Sequence, residues 1–202
     1  MARDRKETEQ RLVEAAGRVL ARDGFKKLGV NAIAREANLD KVLIYRYFDG
    51  LSGLIDAYAR QGDFWPSTEE LLGEDLAEFK QRSLSDQLSQ IVDNYAAGIR
   101  RRPLTLQILA WEMVERNELT MHLEKVREKS GAKLFEWVWY DDKATADSQI
   151  DIEALMTLFS ACTNYLAARS TSIRVFNGID ISEEDGWQRL TNMMKKICHS
   201  LL

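Results

Sequence analysis

Asn38-Leu39-Asp40 separates two short apolar helical patterns and leaves room between them for nothing longer than a tight turn. Before it, Val30 to Ala37 places Ile33, Ala34 and Ala37 on one inward face. After it, Asp40 is a suitable N-cap for a helix over Lys41 to Phe48, which Asp49 and Gly50 end. Asn38 tolerates the left-handed conformation that such a turn needs. A longer helix precedes the pair, Thr8 to Arg22, with Leu12, Ala16, Val19 and Leu20 at helical spacing and Gly24 after its last turn. Leu54, Ile55 and Tyr58 mark a fourth. Two short helices joined by three residues and braced by a longer one have the layout of a helix-turn-helix.

The rest of the chain is also helical in pattern. Its 202 residues include only two prolines, Pro66 and Pro103, and few alternating β-branched runs. Apolar residues make up 45%, enough for a real core. The periodicity predicts helices near 84–101, 103–115, 118–140, 151–169 and 183–201, with Pro103 in a first turn. Ser182 and Asp185 have the spacing of a capping box for the last of these. The expected fold is all-α. It divides into a helix-turn-helix head, 1–50, and a helical body, 51–202.

The helix over 41–48 has a mixed composition that calls for explanation. At about 100° per residue, Ile44 and Phe48 fall about 40° apart and form its inward edge. Val42 and Arg46 point the opposite way, and Tyr45 and Tyr47 lie on the flanks. Lys41, Val42, Tyr45 and Arg46 suit a major groove: a cation for guanine or phosphate, an aliphatic group for a thymine methyl, a hydroxyl for phosphate oxygens. A solvated amphipathic helix whose tyrosines lie over the core explains the wheel equally well.

Charge adds a modest asymmetry. The net charge of the chain is −4, but residues 1–50 hold 11 basic and 8 acidic side chains. A mildly basic head on an acidic body suggests separate tasks for the two. Cys162 and Cys198 are too few and too distant for a disulfide framework or a CxxC metal site, and both are expected as buried free thiols. The start, MARDRKETEQ, lacks the apolar core of a secretory signal, and the uncharged run from Ala154 to Ala168 is too short to span a bilayer. A cytoplasmic protein with no membrane partner is expected. His122 and His199 stand in no metal-ligand spacing, and neither GxSxG nor a Gly-rich phosphate loop occurs. No catalytic residue, metal or cofactor is assigned, and an enzyme is not expected.

The stretch from Thr8 to Tyr58 resembles the DNA-binding domain of the tetracycline-repressor (TetR) family of bacterial transcriptional regulators. The first helix ends in Asp23-Gly24-Phe25, and Val30-x-x-Ile33-Ala34-x-x-Ala37 follows. Asn38-Leu39-Asp40-Lys41 stands where the family commonly has Gly-Val-Ser-Lys. Ile44-Tyr45-Arg46-Tyr47-Phe48 is similar to its Leu-Tyr-x-[His/Tyr]-Phe, and Leu54-Ile55 to its Leu-Leu pair. The resemblance implies groove-facing roles for Asn31, Lys41, Val42, Tyr45 and Arg46 and a phosphate contact for Tyr47. Lys26, Lys27, Arg3 and Arg5 would add non-specific phosphate attraction. The chain departs from the family in having Leu28 and Leu43 where threonine is common, and Leu51 where a lysine usually opens the fourth helix.

For the body, the resemblance implies dimerisation and a small-molecule effector. Met156, Phe159, Leu190, Met194 and Ile197 lie on apolar stripes of the final two helices and are the expected homodimer interface. Tyr95, Trp111, Glu112 and Phe135 are the expected pocket walls, although a helical bundle needs large core residues anyway. The expected function is that of a sequence-specific transcriptional repressor that binds a palindromic double-stranded operator as a homodimer and is released by its effector. The rival is a helical protein-interaction module whose helix-turn-helix has lost its affinity for DNA.

Overall fold

A computed structural model describes residues 2–61, 64–139 and 150–202. Eleven helices dominate them: α1 (Ala2–Asp23), α2 (Val30–Ala37), α3 (Val42–Phe48), α4 (Leu51–Gln61), α5 (Thr68–Leu72), α6 (Leu76–Phe79), α7 (Leu84–Arg100), α8 (Pro103–Glu112), α9 (Glu118–Trp139), α10 (Ile152–Ser170) and α11 (Glu184–Leu201). A 3-10 turn covers Phe25–Lys27. A two-stranded antiparallel hairpin, β1 (Val175–Phe176) with β2 (Ile179–Asp180), precedes α11 and pairs Val175 with Asp180. The fold is all-α apart from this hairpin.

The chain forms two compact units. One comprises Met1–Trp65 and Arg102–Glu128, the other Pro66–Arg101 and Lys129–Leu202. The three-helix head ends at residue 50, but the unit around it does not. Leu54, Ile55 and Tyr58 of α4, Ile108 of α8 and Leu123 of α9 share one core with Leu12, Val19, Ile33 and Ile44. Two close contacts seat α8 in that unit. A methyl group on Gly24, whose φ is +72°, would lie 3.1 Å from the Trp111 indole, and the indole N–H donates to the Ala21 carbonyl at 3.3 Å. Thr105 donates to the Phe64 carbonyl at 2.7 Å inside the same core.

The turn behaves as its residues predict. Asn38 adopts φ 52°, ψ 51°, and the Leu39 N–H returns to the Ala34 carbonyl at 2.9 Å. Arg11 caps the same helix end by donating to the Ala37 carbonyl at 2.9 Å. The Asp40 carboxylate accepts from the Val42 N–H at 2.8 Å, so it does the work of an N-cap for α3. Asp49 closes α3 in the left-handed region at φ 58°. Gly53 then lets α4 pass the end of α3, since a methyl group there would lie 1.9 Å from the Phe48 carbonyl oxygen.

The second unit packs Leu72, Phe79, Leu88, Ile91, Val138, Trp139, Phe159, Met194 and Cys198 into its own core. The Trp139 indole donates to Gln87 at 3.0 Å. Trp137 is exposed while Trp139 is buried, as two tryptophans two residues apart on one helix must be; Tyr140 lies outside the described residues.

Three expectations are corrected. Cys198 is buried but Cys162 is exposed, because it falls on the outer side of α10. Ser182 caps no helix: its hydroxyl donates to Asp180 at 2.6 Å, and Glu183 precedes α11 without a side-chain cap. The N-terminal residues form a continuation of α1 that starts at Ala2, six residues before the expected beginning.

Ile44 is fully buried among α1, α2 and α4. The Ile44→Ala substitution is expected to cost about 2–5 kcal/mol through lost transfer energy and the cavity left behind. A shift of the denaturant midpoint at unchanged m-value checks it.

Candidate nucleic-acid interface

Burial of Ile44 decides which residues α3 shows to solvent. Val42 is 51% exposed and Tyr45 56%, and Lys41 and Arg46 are exposed beside them. Asn31 of α2 and Lys26 and Lys27 of the 3-10 turn are also exposed. Phe48 is half-buried against the core together with Tyr47. One helix face therefore carries an aliphatic group, a phenol and a guanidinium, the set that base edges and phosphates bind.

Several basic residues of the head fall into two groups. Arg18 and Arg22 both pair with Glu36, at 3.0 and 2.8 Å, and Arg22 also pairs with Asp23 at 2.9 Å. These arginines hold Glu36 and Asp23 below the usual carboxylate range. Lys26, Lys27, Lys41 and Arg46 form no salt bridge among the described residues and remain available to an anion.

Arg5 belongs to neither group. Its guanidinium stands 5.0 Å from the centre of the Tyr47 ring while its Nε donates to Glu9 at 2.7 Å. The two residues lie 42 positions apart, and no sequence pattern signals their contact. The Arg3 side chain lies outside the described residues. Leu28 is buried, and Leu43 and Leu51 pack against the head core, so the leucines that replace family hydroxyls and a lysine serve packing.

The four expected pocket residues divide between the units. Trp111 and Glu112 belong to the first. The Glu112 side chain is 9% exposed and pairs with Arg127 at 2.5 Å, and Arg127 lies over the Trp65 ring. One Glu112 oxygen, Oε1, is buried without a hydrogen bond, and Glu115 Oε2 likewise. Nearby, His122 of α9 meets Asp56 of α4 in a short contact. Tyr95 and Phe135 belong to the second unit: Tyr95 donates to Asn164 at 2.8 Å, and Phe135 lies 5.0 Å from the Trp139 ring. A surface groove of about 450 Å³ between α7 and α11 includes Asp93, Arg100, Trp187 and Lys195 but none of the four.

Of the expected interface residues, Phe159 and Met194 are buried in the second unit's own core, whereas Met156, Leu190 and Ile197 are half-buried. The same helices leave Leu158 67% and Met193 57% exposed, with Tyr165 and Leu201 also outward. The wheel alone does not distinguish neighbouring positions such as 158 and 159, because both flank one wide apolar face.

Fold and head together define a helix-turn-helix protein. The family model for bacterial regulatory proteins, tetR family, matches residues 12–58. Among solved structures, a TetR family transcription regulator from Marinobacter aquaeolei VT8 is 18% identical, with a TM-score of 0.62 over 97% of both chains. NalD from Pseudomonas aeruginosa, the secondary repressor of the MexAB-OprM multidrug efflux pump, is 16% identical, with a TM-score of 0.67 over 95% of this chain and 96% of that one. The fatty acid degradation regulator FadR from Bacillus halodurans is 12% identical, with a TM-score of 0.60 over 94% and 96%. No curated protein matches the chain in sequence. The family match covers the head, residues 12–58, and the chain as a whole shares the fold of these regulators. No helix among the described residues is long and apolar enough to cross a membrane.

Burial raises the Glu112 pKa above its ordinary 4.5 despite the opposing pull of Arg127. The folded state then holds this proton more tightly than the unfolded chain, so the group makes stability fall as pH rises above 4.5 until the folded pKa is passed. Denaturant midpoints measured from pH 4.5 to 8 are expected to show this slope in the wild-type protein and not in Glu112→Gln.

Proposed function

We propose that the protein is a homodimeric repressor that reads a palindromic operator with α3 and is released from it by a small-molecule effector. The observation that supports this reading is the outward face of α3, where Val42, Tyr45 and Arg46 stand exposed because Ile44 is buried opposite them. Asn31 and Lys41 join them in the groove, Tyr47 meets phosphate, and Lys26 and Lys27 add sequence-independent attraction. Residues 1–50 carry the DNA-binding task and 51–202 the dimerisation and sensing tasks.

Dimerisation has a physical motive. One α3 reads only a few base pairs, whereas a two-fold pair reads two half-sites about one helical turn, or a multiple of it, apart. The exposed stripes are where a second copy would sit: Leu158, Cys162 and Tyr165 on α10, Met193 and Leu201 with half-buried Leu190 and Ile197 on α11. Met156 borders them, and Phe159 and Met194 support the face from beneath. The repressor assignment draws on NalD, described as a repressor, whose fold this chain shares. For the effector, Trp111, Glu112, Tyr95 and Phe135 are the proposed contacts. Release follows if the effector binds more tightly to the conformer that cannot engage the operator.

Selection from random duplexes is expected to enrich a palindrome whose affinity falls steeply with salt, and no enrichment at low salt would refute the regulator. Arg46→Ala is expected to cost about 1–3 kcal/mol of discrimination at one position of each half-site while leaving the dimer intact. Leu158→Glu puts a charge on the proposed two-fold face at an exposed site. It is expected to weaken self-association at least about tenfold by sedimentation, with helicity unchanged; a dimer of undiminished strength would move the interface elsewhere.

A further inference from the structure

The contact between Arg5 and Tyr47 joins the first turns of α1 to the end of α3, the helix proposed to read DNA. Its geometry constrains what Arg5 can bind. The guanidinium lies over the phenol ring at 5.0 Å, and its Nε is taken by Glu9 one turn along the same helix. A guanidinium held by an aromatic face and by one bond at Nε keeps both terminal nitrogens, Nη1 and Nη2, for a further acceptor. The side chain is 60% exposed, so that acceptor comes from outside the chain. Two N–H groups side by side on one plane match the two free oxygens of a phosphodiester.

Tyr47 is half-buried against the head core. Arg5 is carried on helix from Ala2 onward, where the continuous α1 limits its reach. We propose that Arg5 and Tyr47 form one composite phosphate clip at the edge of the DNA interface. Arg5 touches the operator backbone, Tyr47 is the platform that positions it, and Glu9 is an intramolecular competitor that holds the guanidinium in place and offsets its charge until DNA arrives. This inference rests on the regulator reading, and it replaces the direct phosphate contact proposed above for Tyr47 with the task of a platform.

The test uses the full-length protein and its selected operator, with Kd measured across a salt series. Arg5→Ala is expected to weaken binding uniformly across operator variants. It should reduce the slope of log K against log salt by about 0.9 per head, or about 1.8 for a dimer. Tyr47→Leu is expected to weaken binding too, and adding Arg5→Ala to it should change Kd less than about twofold, since the arginine has already lost its platform. Tyr47→Phe keeps the ring and is expected to retain the full effect of Arg5→Ala, which separates a platform from a hydroxyl contact. Glu9→Gln keeps an acceptor for Nε and removes the charge, so affinity is expected to rise about two- to fivefold at low salt and to converge on wild type as salt screens the site.

Equal losses from Arg5→Ala in the wild-type and Tyr47→Leu backgrounds would overturn the clip, as would an unchanged salt slope. Loss of affinity in Tyr47→Phe equal to that in Tyr47→Leu would overturn the platform role and return Tyr47 to a hydroxyl contact. Failure of the wild-type protein itself to select an operator would defeat the regulator reading, before any variant is made.

Discussion

The burial of Ile44 is the constraint from which the character of the outward face of α3 follows. A seven-residue helix has too few intrahelical bonds to stand alone and persists through tertiary packing. Ile44 supplies the anchor, fully buried among α1, α2 and α4, while Asn38 and Asp49 in the left-handed region set where the helix begins and ends. With position 44 held inward, the helical repeat turns Val42, Tyr45 and Arg46 outward. The exposure of an aliphatic and an aromatic side chain on a surface helix is therefore a consequence of how α3 is anchored. It is the kind of exposed apolar content that calls for a partner.

The same packing embeds the head in a larger unit. Leu54 and Ile55 of α4, Ile108 of α8 and Leu123 of α9 complete the core that α1 to α3 begin. Trp111 crowds Gly24, whose positive φ favours glycine, and Asp56 meets His122 across α4 and α9. A close-packed interior does not deform smoothly, so a shift of α8 or of the start of α9 must either be absorbed at these contacts or be passed to the helices around Ile44. Glu112 and Arg127 lie on those same two helices, and the unmatched Glu112 oxygen marks them as a place where polar demand is unmet.

Much of this was legible in the sequence because it is local. The helix boundaries over 30–37, 84–100 and 103–112 lie within a few residues of the periodic pattern, and the Asn38 turn follows from the side chain's tolerance of positive φ. What was not legible depends on distance along the chain or on fine choices between neighbours. Periodicity places both Leu158 and Phe159 on an apolar face, and only the packing on α7 decides that one is buried and the other exposed. The short α5 and α6 and the 175–180 hairpin are too brief to display a period. The Arg5 to Tyr47 contact joins residues no pattern relates, and the Ser182 hydroxyl turned to the nearer Asp180 and made no cap.

Charge in the head illustrates the same limit and also bears on assembly. Counted from sequence, residues 1–50 carry 11 cations, but Arg18 and Arg22 are committed to Glu36 and Asp23. The cations that face outward without an ion pair among the described residues are Lys6, Lys26, Lys27, Arg35, Lys41 and Arg46, with Arg5 partly offset by Glu9. If about five of these seven reach phosphates, one head gives a salt slope near 4 to 5. Two heads held at fixed spacing double that slope and turn the second contact into an intramolecular event with a high effective concentration. On the proposed reading, a second copy strengthens the hold on an operator in this way. The exposed apolar stripes of α10 and α11 supply the surface through which one could be recruited.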